Sequence, residues 1–334
     1  MKGDTMKERL DFIDIAKGIL IVLVVVGHVW QSGPVFDTIY AFHMPGFFII
    51  GGMLMQYTKA HEKPFGKFVL RKAVAYGIPF IWIEILGVLT DIIRNGATLN
   101  IKGYLYNTLM FNFNDPNLWF IVTLFLIELT VAAMVKLIKK PWIICGIAGI
   151  LFFARYAAPE DIPVLGTVIG AARYLPLFIV GFYGSSLLKK ANAPAAALCA
   201  AVVLGRALLE STLGAMGRIW LDLSYLVSGC CGTYAVLCIG RWISLGTVCK
   251  ALGAVGRAFG FAGRSSVVIY GTHHIIYVVL GMLLGVSDFA STPFGTGMII
   301  LVGTLLIEIP IVYVVNRWLP FLMGKPRRRN AAVS

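Results

Sequence analysis

Apolar residues along this chain come in long uninterrupted blocks, not in the alternation of a strand or the single stripe of a surface helix. Residues 18–26, GILIVLVVV, carry no polar side chain, and comparable blocks recur to the end of the sequence. Crossing the hydrocarbon layer of a membrane, roughly 30 Å thick, takes about 20 such residues in a helix. Windows of about 19 residues predict ten helices. They lie near 11–30, 43–58, 73–93, 118–138, 141–157, 171–188, 194–210, 222–241, 267–285 and 295–316. The polar gaps between them are too short for a soluble domain, so 1–334 reads as one integral membrane domain, with 317–334 as a basic cytoplasmic tail. The expected fold class is all-α, a polytopic membrane helix bundle. No repeat at a fixed period and no low-complexity segment stands out.

Composition agrees and excludes a soluble protein: 58% of the 334 residues are hydrophobic and 13% charged, where soluble domains carry about 25% charged residues. Lys2, Lys7 and Arg9 ahead of an apolar run imitate a secretory signal, but no small-x-small cleavage site follows and the run is long enough to span. It reads as a retained first helix. The six cysteines, Cys145, Cys199, Cys230, Cys231, Cys238 and Cys249, form no C-x-x-C pair and read as small hydrophobes.

The net charge of +13 is mostly a topology signal. With the N-terminus inside, the cytoplasmic side collects Lys2, Lys7, Arg9, Lys17, the loop KAHEKPFGKFVLRK and the turn KLIKK. It also takes Lys189, Lys190, Arg241, a long loop with Lys250, Arg257 and Arg264, then Arg317 and the tail GKPRRRN. Only six of the 29 Lys and Arg residues remain outside: Arg94, Lys102, Arg155, Arg173, Arg206 and Arg218. The bias of positive charge toward the cytoplasm places both termini there. A basic inner face suits anionic lipid head groups. Charge dispersed over membrane loops argues against a nucleic-acid partner.

Some polar residues interrupt the apolar blocks, where each is costly and points to function. Lys17 and His28 are eleven residues apart, which on a helix closes to within about 20° of three turns and separates them by roughly 16 Å. Asp14, three residues before Lys17, shares its face and can pair with the ammonium. A lysine there also fits a side chain snorkelling to the inner interface. In the next block, AFHMPGFFIIGGMLM, His43 stands at a helix start with Pro45 in the tolerant first turn. Gly46, Gly51 and Gly52 allow a second helix to approach closely. His28 and His43 then flank one membrane face.

These stretches, DFIDIAKGILIVLVVVGHVW followed by FHMPGFFIIGGML, resemble the opening of the acyltransferase-3 family of integral membrane acyltransferases, in particular its sugar O-acetylase (fucose 4-O-acetylase-like) branch. The family opens with a basic residue, ten intervening residues and a histidine, matched here by Lys17 and His28. FHMP matches its His-Met-Pro, while Gly51 stands where the family usually has serine. FVLRKAVAYGIPF is similar to its basic third-helix entry through Arg71, Lys72 and Pro79, although a further family arginine has no counterpart around Ala75. NLWFIVTLF resembles its Leu-Trp-Phe motif and puts Trp119 at the outer mouth. RYLPLFIVGFYGS, from Arg173 to Gly181, and GRSSVVIYGTHHIIY, with Ser266, Tyr270 and His273, resemble two later helices.

The resemblance implies an O-acyltransferase of the class EC 2.3.1, moving an acetyl group from acetyl-CoA, as co-substrate, to a hydroxyl of a cell-surface glycan or glycolipid. His28 is then the candidate base, since imidazole titrates near neutral pH, and His43 would orient it or bind the acceptor. Arg71 and Lys72 would hold the donor phosphates. Because His28 lies far above the cytoplasmic edge, the pantetheine arm would thread a channel lined by Lys17. Asp14, Trp119, Arg173, Tyr270 and His273 would bind substrate or support the site. Membrane lipids are expected partners, and a homo-oligomer is compatible with the sequence. No metal-ligand spacing occurs: adjacent His273 and His274 point about 100° apart on a helix, and His274 reads as packing. The rival reading is a transporter or flippase using Asp14, Lys17, Glu128, Arg173 and Glu308. Against it, no repeated half and no paired broken helices are visible.

Overall fold

The computed structural model describes residues 2–157, 163–188, 190–245 and 250–324. Lys189, Cys249, tail residues 325–334 and the side chains of Lys2, Lys7, Arg9 and Lys250 lie outside the described residues. Among the described residues there are fourteen α-helices and no strand. They are α1 (Lys2–Val29), α2 (Pro34–Tyr40), α3 (His43–Tyr57), α4 (Phe65–Asn95), α5 (Ile101–Leu109), α6 (Trp119–Leu137) and α7 (Pro141–Ala154). The chain continues with α8 (Pro163–Gly184), α9 (Ala193–Leu208), α10 (Glu210–Ala215), α11 (Arg218–Ser244), α12 (Lys250–Arg264), α13 (Ser266–Leu283) and α14 (Phe294–Trp318).

Eight segments are long and apolar enough to cross a membrane: 11–29, 34–57, 65–95, 119–137, 165–184, 218–244, 266–283 and 294–318. Residues 141–157 and 193–208 form two shorter apolar helices. The chain is an all-α, multi-pass membrane protein. Prolines lie inside α4, α8 and α14, as membrane helices tolerate more readily than soluble ones.

One expectation fails. Residues 250–264, read as a loop, form α12. Its Arg257 and Arg264 disqualify it as a span, yet Val255, Phe259 and Ala262 recur at helical spacing. One glycine on each helix lets it press onto α1: a Cβ on Gly18 of α1 would strike the Phe259 carbonyl, and one on Gly263 of α12 the Asp14 carbonyl. The same device joins α3 to α8, where Gly52 meets the Phe178 carbonyl and Gly181 the Ile49 carbonyl. Within a membrane, where lipid is as apolar as leucine, such close approach is what drives helix association.

Two large buried apolar clusters result. One gathers Phe48, Ile49, Phe178 and Ile127 from α3, α8 and α6. The other gathers Ile21, Val25, Ile83, Ile121 and Val268 from α1, α4, α6 and α13. A cavity opens between them.

Candidate active site

The cavity measures about 380 Å³ and is lined mainly by α1, α3, α4, α6 and α13, with Thr58, Ala60 and Lys63 of the segment between α3 and α4. On α1 it is lined by Lys17, Ile21 and Val24, steps of four and three residues that trace one helical face. His28 continues that face one turn above Val24. On α13 the lining ends at Tyr270, and His273 stands one turn beyond. The two histidine rings lie 5.2 Å apart between centroids. The apolar end of the cavity, with Val24, Met44 and Tyr270, therefore stops one helical turn short of the His28–His273 contact.

The opposite end is basic. Lys17, Lys63, Arg71 and Lys72 line it. Lys17 pairs with Asp14 at 3.0 Å, the two side chains 19% and 20% exposed. Lys72 lies 2.6 Å from Glu128 of α6, whose side chain is 5% exposed, and sits over the rings of Phe68 and Tyr76. The two neighbouring cations thus differ: Arg71 is exposed, whereas the Lys72 charge is already matched. Gly51, where a family serine is expected, lines the wall without a hydroxyl.

Above the cavity the rings interlock. His28 stacks on Tyr277 at 5.8 Å and 9°. His273 is 0% exposed, and its Nδ1 lies 2.9 Å from the Ile269 carbonyl. A carbonyl only accepts, so Nδ1 carries the proton and Nε2 the lone pair. That Nε2 is buried with no partner among the described residues. His43 likewise donates Nδ1–H to the Ile39 carbonyl at 2.8 Å and turns its ring edge to Tyr40.

His274, read as packing from the sequence, is buried and also makes a polar contact: its Nδ1 lies 3.1 Å from Asp115 Oδ2. Asp115 belongs to the loop before α6, a loop that Glu84 of α4 gathers by accepting from Thr108, from the Asn114 side chain and from the Asn114 and Asp115 backbone. The roughly 100° turn between adjacent helical residues, which set His274 aside from His273, aims it at this loop. The Tyr270 hydroxyl donates to the Asn117 carbonyl of the same loop.

Trp119 and Arg173 fall into a separate corner. Trp119 stacks on Tyr174 at 5.4 Å, and Arg173 pairs with Asp222 at 2.7 Å over the Tyr225 ring. Buried Arg155 shares the Asp222 carboxylate, to which the Tyr156 hydroxyl also donates at 2.8 Å. Phe120 links the two groups, in ring contact with both Trp119 and Tyr270. Glu308, counted in the transport reading, accepts from Thr272 at 2.8 Å between α13 and α14. Among the described residues no group of three or more His, Cys, Asp or Glu is arranged to hold a metal ion.

Residues 10–313 match the model of a family described as an acyltransferase domain, acyltransferase-3. Nodulation protein NolL of Sinorhizobium fredii is 30% identical over 199 residues, covering 54% of this chain and 50% of that protein. The chain thus spans about half the length of that curated relative. No solved structure gives a significant match.

Proposed function

Because the chain belongs to the acyltransferase-3 family, we propose that it is an O-acetyltransferase of the bacterial plasma membrane, moving acetyl from acetyl-CoA to a hydroxyl of a cell-surface glycan or glycolipid. The observation that carries this reading is the cavity: basic at one end, apolar along its length, and closed one turn below two facing histidines. The donor has the same build, a polyanionic nucleotide on a long, nearly neutral arm ending in a thioester. Arg71, Lys63 and Lys17 take the phosphates, and the arm lies between α1, α3, α4, α6 and α13 with its thioester beside Val24, Met44 and Tyr270.

A hydroxyl is a poor nucleophile, so a base must take its proton as it attacks. His28 takes the proton from the acceptor O–H while the oxygen bonds to the acetyl carbon. The carbon–sulfur bond breaks, its electron pair leaves on sulfur, and the imidazolium returns the proton to give the CoA thiol. His273 orients the base through the contact of the two rings, 5.2 Å between centroids. The acceptor enters from the side of His43, Trp119 and Arg173.

The test is turnover of labelled acetyl-CoA by membranes that contain the protein and its native acceptor, with mass spectrometry of surface glycans for added acetyl groups. His28→Ala should lower transfer by about 10²–10⁴-fold in a protein that still inserts and folds. Wild-type turnover by that variant would remove His28 as the base.

A further inference from the structure

A base at the end of an apolar cavity needs its cation stabilised at the moment it forms. Nothing nearby on α1 does this, since Asp14 lies fourteen residues before His28, roughly 21 Å along the helix, and is held by Lys17. The carboxylate that reaches the histidine rings comes from the α5–α6 loop. Asp115 is 1% exposed. Its Oδ2 meets His274 Nδ1 at 3.1 Å, and its Oδ1 accepts the Asn117 N–H at 2.8 Å. Donors on both oxygens suit the ionised carboxylate.

From Asp115 the contact is continuous to the base. The His274 ring lies 5.5 Å from Tyr277, and Tyr277 carries His28 at 5.8 Å and His273 at 6.1 Å. The loop is fixed from two sides, by Glu84 on α4 and by Tyr270 on α13. Other carboxylates are engaged elsewhere: Glu84 by the loop's own donors, and Glu308 by Thr272 on the side of α13 that faces α14. A fixed anion in a site of low dielectric acts far more strongly than in water, and it costs no rearrangement when charge develops.

We propose that Asp115 and His274 form a dyad that positions and charge-balances the base, stabilising the imidazolium that His28 becomes when it takes the acceptor proton. Asp115 touches no substrate. It acts through His274, whose Nδ1–H it holds, and through the ring stack on Tyr277. The proposal rests on acyl transfer with His28 as base.

The experiment measures labelled acetyl-CoA turnover in native membranes, which supply the acceptor, for Asp115→Asn, Asp115→Glu, His274→Gln, the Asp115→Asn/His274→Gln double variant and His28→Ala. Each is also checked for thermal unfolding in detergent. Asp115→Asn and His274→Gln should each lower kcat about 10- to 100-fold, a part of what a general base contributes, with the acetyl-CoA KM unchanged. Asp115→Glu should recover part of the rate, and the double variant should be no slower than either single one, because the two residues act as one unit. A folded Asp115→Asn with wild-type kcat overturns the proposal, as do single losses that multiply. If Asp115→Asn does not fold, His274→Gln, which still offers Asp115 a donor, decides: a reduced kcat at constant KM supports the dyad and wild-type kcat overturns it. Full turnover by His28→Ala would withdraw the base assignment and this proposal with it. An inactive His28→Ala beside a fully active Asp115→Asn overturns the dyad alone.

Discussion

Lys17→Met separates a donor-binding lysine from one that only marks the membrane's inner edge. The substitution keeps the stem and removes the charge. Lys17 lines the basic end of the cavity, and its 3.0 Å pair with Asp14 is about one-fifth exposed on each side. Exposed pairs contribute about 0–1 kcal/mol, and breaking a buried one costs about 3–5 kcal/mol. This intermediate pair should fall between, at about 1–2 kcal/mol of stability lost. A hydrogen bond to a charged group contributes about 1.5–3 kcal/mol, so losing one phosphate contact should raise the acetyl-CoA KM about 10- to 150-fold. His28 lies roughly 16 Å further along the helix, so kcat at saturating donor should change little. The assay pairs acetyl-CoA kinetics in membranes with thermal unfolding in detergent. Asp14→Asn/Lys17→Met then isolates the two effects: it should regain stability, because no half-buried carboxylate is left unpaired, while KM stays high. An unchanged KM in Lys17→Met refutes the donor role and leaves a lysine that snorkels.

Arg71→Ala should raise the acetyl-CoA KM with kcat nearly constant, whereas Lys72→Ala should chiefly destabilise, by about 3 kcal/mol, since it strands Glu128 at 5% exposure; kinetics and melting of the two single variants tell them apart. Asp222→Asn should cost about 3–5 kcal/mol in thermal unfolding, because it leaves the buried Arg155 guanidinium and Arg173 without their shared carboxylate. Gly181→Val, which drives a side chain into the Ile49 carbonyl, should destabilise by about 3 kcal/mol or more, while Gly184→Ala, with nothing within 4 Å of the added carbon, should melt close to wild type.

What could be read from the sequence was whatever periodicity carries. The spacing of Lys17, Val24 and His28 puts them on one face of a helix whatever surrounds it, and Asp14 three residues before Lys17 could be paired by the same rule. The glycines of α3 announced a close neighbour, but not that it would be α8. Pairings between distant segments left no such trace. His274 and Asp115 are 159 residues apart, and nothing in either local sequence says that the loop before α6 folds onto α13. Lys72 looked like a second phosphate ligand beside Arg71, because a sequence shows two cations and not the Glu128 that occupies one of them. Arg155, Arg173 and Asp222 likewise come from three different segments. The helix at 250–264 was legible in principle. Its apolar spacing is present, but a window tuned to membrane spans discards a segment holding two arginines.

In the proposed reaction the donor thioester is carried up the cavity to the histidines, and the position of its sulfur is the most direct test. A structure of the His28→Ala protein with acetyl-CoA, the variant chosen so that the donor survives, should place the phosphates at Lys17, Lys63 and Arg71 and the thioester among Val24, Met44 and Tyr270. A thioester at the basic end, with the apolar length of the cavity empty above it, would contradict the account.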